Sequence, residues 1–158
     1  MLNKLDELLL QTSQLIQSSF QSMKMDSIGT YLTEFLTNRD IVAFYINPFL
    51  APVYGQEGNF NIIVITKNDL ILDFVFKEDY SRHDISHLFT VTKIYYQEIM
   101  IMKDKQEQKA KQYFGYLIHT RGEITSFIGI NEKDKIRIKE ILSYIETKVI
   151  ENRKLGEE

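Results

Sequence analysis

Between Phe60 and Gly129 the chain falls into short runs of β-branched and aromatic residues separated by polar turns. One charged, amphipathic segment then follows, from about Asn131 to Arg153. This order limits what the chain can fold into. Short strands joined by tight connections pair antiparallel, and a lone terminal helix must bury its apolar stripe against the sheet they form. The expected class is α+β, with an N-terminal helical segment, an antiparallel and partly open β-barrel, and a C-terminal helix that caps it.

The clearest local signal is a hairpin. Asn61 to Ile65 and Leu70 to Phe76 flank Lys67-Asn68-Asp69, and Asn and Asp suit a tight reversal because they tolerate left-handed backbone and bond their own main chain. In the second arm Leu70, Leu72, Phe74 and Phe76 share one face. Gln112 to Thr120 and Glu123 to Ile128 form a second hairpin about Arg121-Gly122. Ile41 to Ile46 reads as a strand ended by Asn47-Pro48, and the Pro-containing stretch after it as irregular loop. Thr90 to Met102 is one long or broken strand. Lys77 to Asp84 and Lys103 to Lys111 are polar and expected as connections.

Both ends are helical. Asn131 is an N-cap, with Glu132 and Asp134 in the first turn where the helix dipole favours negative charge. Ile138, Ile141, Leu142, Ile145 and Val149 form the buried stripe, with Ile136 and Ile150 at its margins. Over residues 2–24, Leu2, Leu5, Leu9, Ile16, Phe20 and Met23 fall on one stripe opposite a face of glutamines and serines. A shorter helix capped by Asp26 or Ser27 would bury Ile28, Tyr31, Leu32, Phe35 and Leu36. Gly29 weakens it by about 1 kcal/mol relative to alanine. The division expected is a helical extension over 1–38, the barrel with its helix over 40–153, and a frayed tail over 154–158.

Composition narrows the function classes. A chain of 158 residues holds one domain with an extension. The net charge of −3 comes from interspersed acids and bases, without the concentrated basic face of a nucleic-acid binder. Cysteine is absent, which removes disulfides, thiol catalysis and thiolate zinc sites. The N-terminus lacks a signal-peptide pattern, and no stretch approaches the roughly 20 apolar residues of a spanning helix. The expected location is the cytoplasm.

Catalytic patterns are equally sparse. His83 and His87 stand four apart and, on a helical turn, would aim together at a metal with Asp79 or Asp84; no third strong ligand sits at a fixed spacing, and a solvated loop explains them better. His119 alternates with tyrosine and leucine in a strand. Serine lacks the GxSxG and SxxK contexts, and no glycine loop has a phosphate-cradling spacing. The expectation is a non-enzymatic protein without metal or cofactor.

Three phrases, IIVITKNDLILDF, DISHLFTVTKIYYQEIMI and YFGYLIHTRGEITSFIGINEKDKIRIKEIL, carry a resemblance to the bacterial pleckstrin-homology-like family over about Phe60 to Val149. Thr66 to Leu70 is similar to that family's T-x-x-x-L hairpin, and Ile85 to Ile94 to the isoleucine-rich segment that follows it. The chain departs from the family by its N-terminal helices. The resemblance implies a seven-stranded barrel closed off by a charged helix, a scaffold that binds peptides, lipids or other subunits.

The expected function is protein–protein interaction, as an adaptor or subunit, through the N-terminal helix (Leu2, Leu5, Leu9, Ile16, Phe20) or an exposed strand edge. The partner is a protein or a second copy. Removing residues 1–24 would then abolish binding and leave the barrel folded. The alternative is a peripheral lipid-binding module whose headgroup contacts are Lys67, Lys103, Lys105, Lys109 and Lys111, with membrane association the less favoured case. A further alternative is a small acidic chaperone or immunity-type protein that sequesters one target.

Overall fold

The computed structural model describes residues 3–48, 59–103, 110–120 and 123–157. The fold is α+β: two N-terminal helices, seven strands in two antiparallel sheets, and a C-terminal helix. By its internal contacts the chain divides into two compact units, Met1–Ser86 and His87–Glu158.

The N-terminal unit holds α1 (Lys4–Ser19), α2 (Met25–Leu36) and the strands β1 (Ile41–Asn47), β2 (Phe60–Thr66), β3 (Leu70–Phe76) and β4 (Ser81–His87). The strands lie in sequence order, β1-β2-β3-β4. Phe60, Ile62 and Val64 of β2 join Phe44 of β1 and Leu72, Phe74 and Phe76 of β3 in one apolar cluster, as the period of two requires. Leu8 and Ile16 of α1, Met23, and Ile28, Leu32 and Leu36 of α2 complete it. Phe20 stacks on Phe60 with ring centroids 5.3 Å apart, and Phe60 on Phe76 at 5.0 Å. Ile63, Ile65, Ile71 and Val75, of the opposite parity, are buried as well. Asn47, Asn61 and Asp73 run across that parity as a polar ladder: the Asn47 amide donates to Asn61 Oδ1, and the Asn61 amide to Asp73 Oδ1, each at 2.8 Å.

The β2–β3 turn shows why a threonine opens it. Thr66 Oγ1 accepts from the Leu70 amide at 3.2 Å and donates to Asn68 Oδ1 at 2.5 Å. Asp69 takes the left-handed position, with φ of 64°, that closes a three-residue hairpin.

Two local expectations are corrected. Lys77 to Asp84, expected as loop, contains the start of β4. Only a tight turn remains there, held by the Lys77 amide on the Tyr80 carbonyl at 2.9 Å. Its polar sequence hides the strand because β4 lies at the sheet edge, where apolar alternation is not enforced. Helix α2 starts at Met25, with its N-cap at Lys24, two to three residues ahead of the expected caps. Lys24 supplies the N-cap backbone and Asp26 sits in the first turn, where its charge still meets the dipole.

The C-terminal unit begins with a short 3-10 turn (Leu88–Thr90), followed by β5 (Lys93–Lys103), β6 (Ala110–Thr120), β7 (Glu123–Gly129) and α3 (Glu132–Glu157). The order is β5-β6-β7, with a register shift between Gln97 and Met100. Helix α3 buries Ile138, Ile141, Leu142, Ile145 and Val149, and its backbone continues to Glu157, past Arg153. Asn131 Oδ1 accepts from the Asp134 amide at 2.9 Å, and Asp134 Oδ2 accepts from the Ile130 amide at 3.1 Å, a reciprocal cap. This cap brings β7 close to the helix: a β-carbon on Gly129 would stand 3.0 Å from Asp134 Cβ.

Two stability outcomes follow from this packing. Leu8 is fully buried, so Leu8→Ala is expected to cost about 2–5 kcal/mol in urea unfolding, and deletion of residues 1–24 to unfold the N-terminal unit rather than spare it. Gly129→Ala is expected to cost about 1–3 kcal/mol through the crowded cap. A neutral result would mean that β7 and α3 can separate freely.

Candidate functional site

The C-terminal unit carries a groove of about 280 Å³ between the start of β5 and the later turns of α3. Its strand wall is fixed locally. The Val91 amide donates to the Leu88 carbonyl at 3.1 Å, and the Thr92 amide to the His119 carbonyl at 2.8 Å, so the chain reaches β5 already anchored to β6. Ile94 and Tyr96, two apart, share a strand face, and they pair in register with Ile118 and Tyr116. The helix wall is Glu146, Val149 and Ile150, spaced i, i+3 and i+4. Val91 and Val149 are buried at the base, while Tyr96 and Ile150 remain 46% and 48% exposed.

One hydrogen bond spans the groove: the Tyr96 hydroxyl donates to Glu146 Oε2 at 3.1 Å. Partial burial pushes the Tyr96 phenol above its ordinary value, and the hydrogen bond and negative charge of Glu146 push it further, against the opposing charge of Lys139. The phenol is therefore held as a neutral donor. β5 lies at the edge of its sheet, so an edge backbone and an apolar helix face stand side by side. An exposed sheet edge is the general setting for strand addition, in which main-chain hydrogen bonds give affinity and pockets for alternate side chains give specificity.

The residues expected to bind a partner through the N-terminal helix lie in the N-terminal unit. Leu5, Leu9 and Phe20 pack against the core cluster of the N-terminal unit, and Ile16 is part of it; Leu2 lies outside the described residues. Of the expected headgroup lysines, Lys105 and Lys109 lie outside the described residues. Lys103 and Lys111 sit at the ends of β5 and β6, where the backbone alone is described. Lys67 is exposed in the β2–β3 turn. It lines a cleft of about 750 Å³ with Arg39, Asn38, Asn68, Glu34 and Asp40. Sequence reading missed Arg39, which lies far from Lys67 along the chain and is brought in by the bond from the Lys67 amide to the Asp40 carbonyl at 2.9 Å. Two cations and two carboxylates leave that cleft without a net charge for an anionic headgroup.

His83 belongs to the framework of the N-terminal unit. Its Nδ1 and the Tyr31 hydroxyl share a hydrogen bond of 2.6 Å, and its ring lies 4.4 Å from Phe35 and 5.2 Å from Phe74, centroid to centroid. Burial, with the charges of Glu34 and Asp84, raises the Tyr31 phenol. His83 and His87 lie on a strand rather than a helical turn, so about 13 Å of extended chain separates them, too far to share a metal. Among the described residues no group of three His, Asp or Glu side chains is placed to hold one.

Sequence reading placed Ile150 at the margin of α3 but did not connect it to β5. The signal in the chain was two separate periods, two for Ile94 and Tyr96, and three to four for Glu146, Val149 and Ile150. Their meeting is a long-range contact that neither period encodes.

No protein-family model, curated protein or solved structure matches the chain. Among the described residues no helix is long and apolar enough to cross a membrane.

The bridge across the groove has a spectroscopic consequence. In Glu146→Gln the charge is gone, and the Tyr96 phenol is expected to titrate closer to 10.0, its ordinary value, followed by NMR of ring-labelled tyrosine with Tyr96→Phe to identify the signal. Because the folded phenol is held above its unfolded value, its contribution to stability is complete below about pH 10 and is lost as pH rises through the folded midpoint. An unmoved midpoint would mean that the bridge does not persist in solution.

Proposed function

We propose that the chain is a non-enzymatic, cytoplasmic protein-interaction module of the pleckstrin-homology-like kind. It takes an extended segment of a partner protein as an added strand beside β5. The observation that carries this reading is the groove itself, where an edge strand runs along an apolar helix face with Tyr96 and Ile150 exposed. The element order is compatible with it: the six strands β2 to β7 and the charged helix lie in the stretch that carries the resemblance, with β1 before it. Of the two surfaces the sequence offered, this reading takes the strand edge, since Leu5, Leu9 and Phe20 of the N-terminal stripe pack against the core of their own unit.

The bound segment in this reading alternates apolar and polar residues, because only every second side chain faces the groove. Its backbone pairs with β5 between Lys93 and Tyr96. Partner choice then depends on which side chain fits between Ile94 and Ile150 and on whether it tolerates Glu146.

The test is selection of peptides from a random display library on the full chain, followed by amide NMR mapping with the winning peptide. The expected result is a motif with apolar residues two apart, perturbation of the amides at 93–96, and at least about tenfold weaker binding by Ile150→Asp. Enrichment of no motif, or perturbations confined to other strands, would sink the reading.

A further inference from the structure

Gly29 sits in the interior of α2, where glycine costs about 1 kcal/mol relative to alanine. Nothing in the packing of the N-terminal unit requires it. A β-carbon there would meet Met25 Cε at 3.6 Å and Leu9 Cδ2 at 3.9 Å, both ordinary contact distances. The missing side chain instead leaves space on the outer side of the helix pair. A groove of about 640 Å³ lies there, with Leu9 and Met25 beside Gly29, and Thr30 and Thr33 along α2. The Thr30 hydroxyl is satisfied by the Asp26 carbonyl at 2.8 Å, so it demands no partner in the groove. The charged residues of the lining, Asp26 and Glu34, are both acidic, and Glu34 also borders the cleft of Arg39 and Lys67. Neither is in an ion pair among the described residues.

We propose that this groove receives an amphipathic helix of a partner protein, one that carries lysine or arginine beside its apolar stripe. From Asp26 to Glu34 the groove follows α2 for about 12 Å, at 1.5 Å per residue, the length over which two turns of a docked helix stay in contact. Helix axes approach to about 8–10 Å according to the side chains between them, and a glycine at the contact admits the closer approach. The acidic rim selects for cations and works against phosphate, nucleic acid and anionic membrane surfaces. All of these residues lie in the N-terminal unit, so the surface stands independently of the β5 groove.

The probe is a helical peptide of about 14 residues with leucine at i, i+3, i+4 and i+7 and lysine elsewhere, compared with its glutamate counterpart, both titrated into the isotope-labelled full chain. The lysine peptide is expected to perturb the amides of Leu9, Met25, Gly29, Thr30 and Thr33, and the glutamate peptide to bind at least about tenfold more weakly. Gly29→Leu fills the groove without changing charge. It is expected to weaken lysine-peptide binding by about tenfold or more while the thermal midpoint holds or rises. Should that variant fail to fold, the double substitution Asp26→Lys, Glu34→Lys on the exposed rim decides the matter, with preference expected to switch to the glutamate peptide.

Three results would overturn the proposal. A folded Gly29→Leu that binds as well as the native chain would reduce the effect to nonspecific charge attraction. Perturbations elsewhere would place the peptide on another surface. Shifts at the groove amides that follow protein concentration without peptide would put a second copy there instead.

Discussion

The burial of β2 along its whole length is the constraint on which the N-terminal unit depends. A strand with one wet face needs apolar residues at alternate positions. One covered on both faces needs them nearly throughout, and FNIIVIT meets that demand. Phe60, Ile62 and Val64 form the surface on which α1 and α2 condense, so both helices owe their persistence to this strand more than to their own propensity. The few polar side chains along it are satisfied in place: Asn61 through its neighbours on β1 and β3, and Thr66 by closing the turn. An unmatched amide here would cost the full desolvation of a buried polar group.

The helical stripe of α1 was legible in the chain, but its use was not. Periodicity shows that an apolar face must be covered without showing by what, and Phe20 on Phe60 is a pairing across 40 residues that no local pattern announces. The reverse holds for β4. Its residues SRHDISH carry almost no strand signal, because an edge position relaxes the rule that makes strands readable. His83 illustrates the cost of that gap. Read on a helix, its spacing from His87 suggested a metal; on a strand it becomes a ring boxed by Tyr31, Phe35 and Phe74. The turn at Thr66 and the cap at Asn131 were read correctly because each is settled by residues within four positions. The β5 groove was not, because Tyr96 and Glu146 lie 50 residues apart.

In the two proposals, each unit offers a docking surface of different character. The groove beside β5 combines an edge backbone with an apolar helix face, which favours extended chain. The groove on α1 and α2 is walled by side chains alone and rimmed by acids, which favours a cationic helix. Together the two proposals describe a linker between partners. The affinities of its two sites are then set separately, by main-chain pairing in one and by charge in the other.

The sequence of β4 has a consequence for self-association. Its exposed positions are Arg82, Ile85 and His87, Arg82 pairs with the partly exposed Asp84 at 2.8 Å, and the His83 ring bonds Tyr31. An incoming copy that pairs with this edge has to desolvate Arg82 and Asp84, a cost that works against edge-to-edge association.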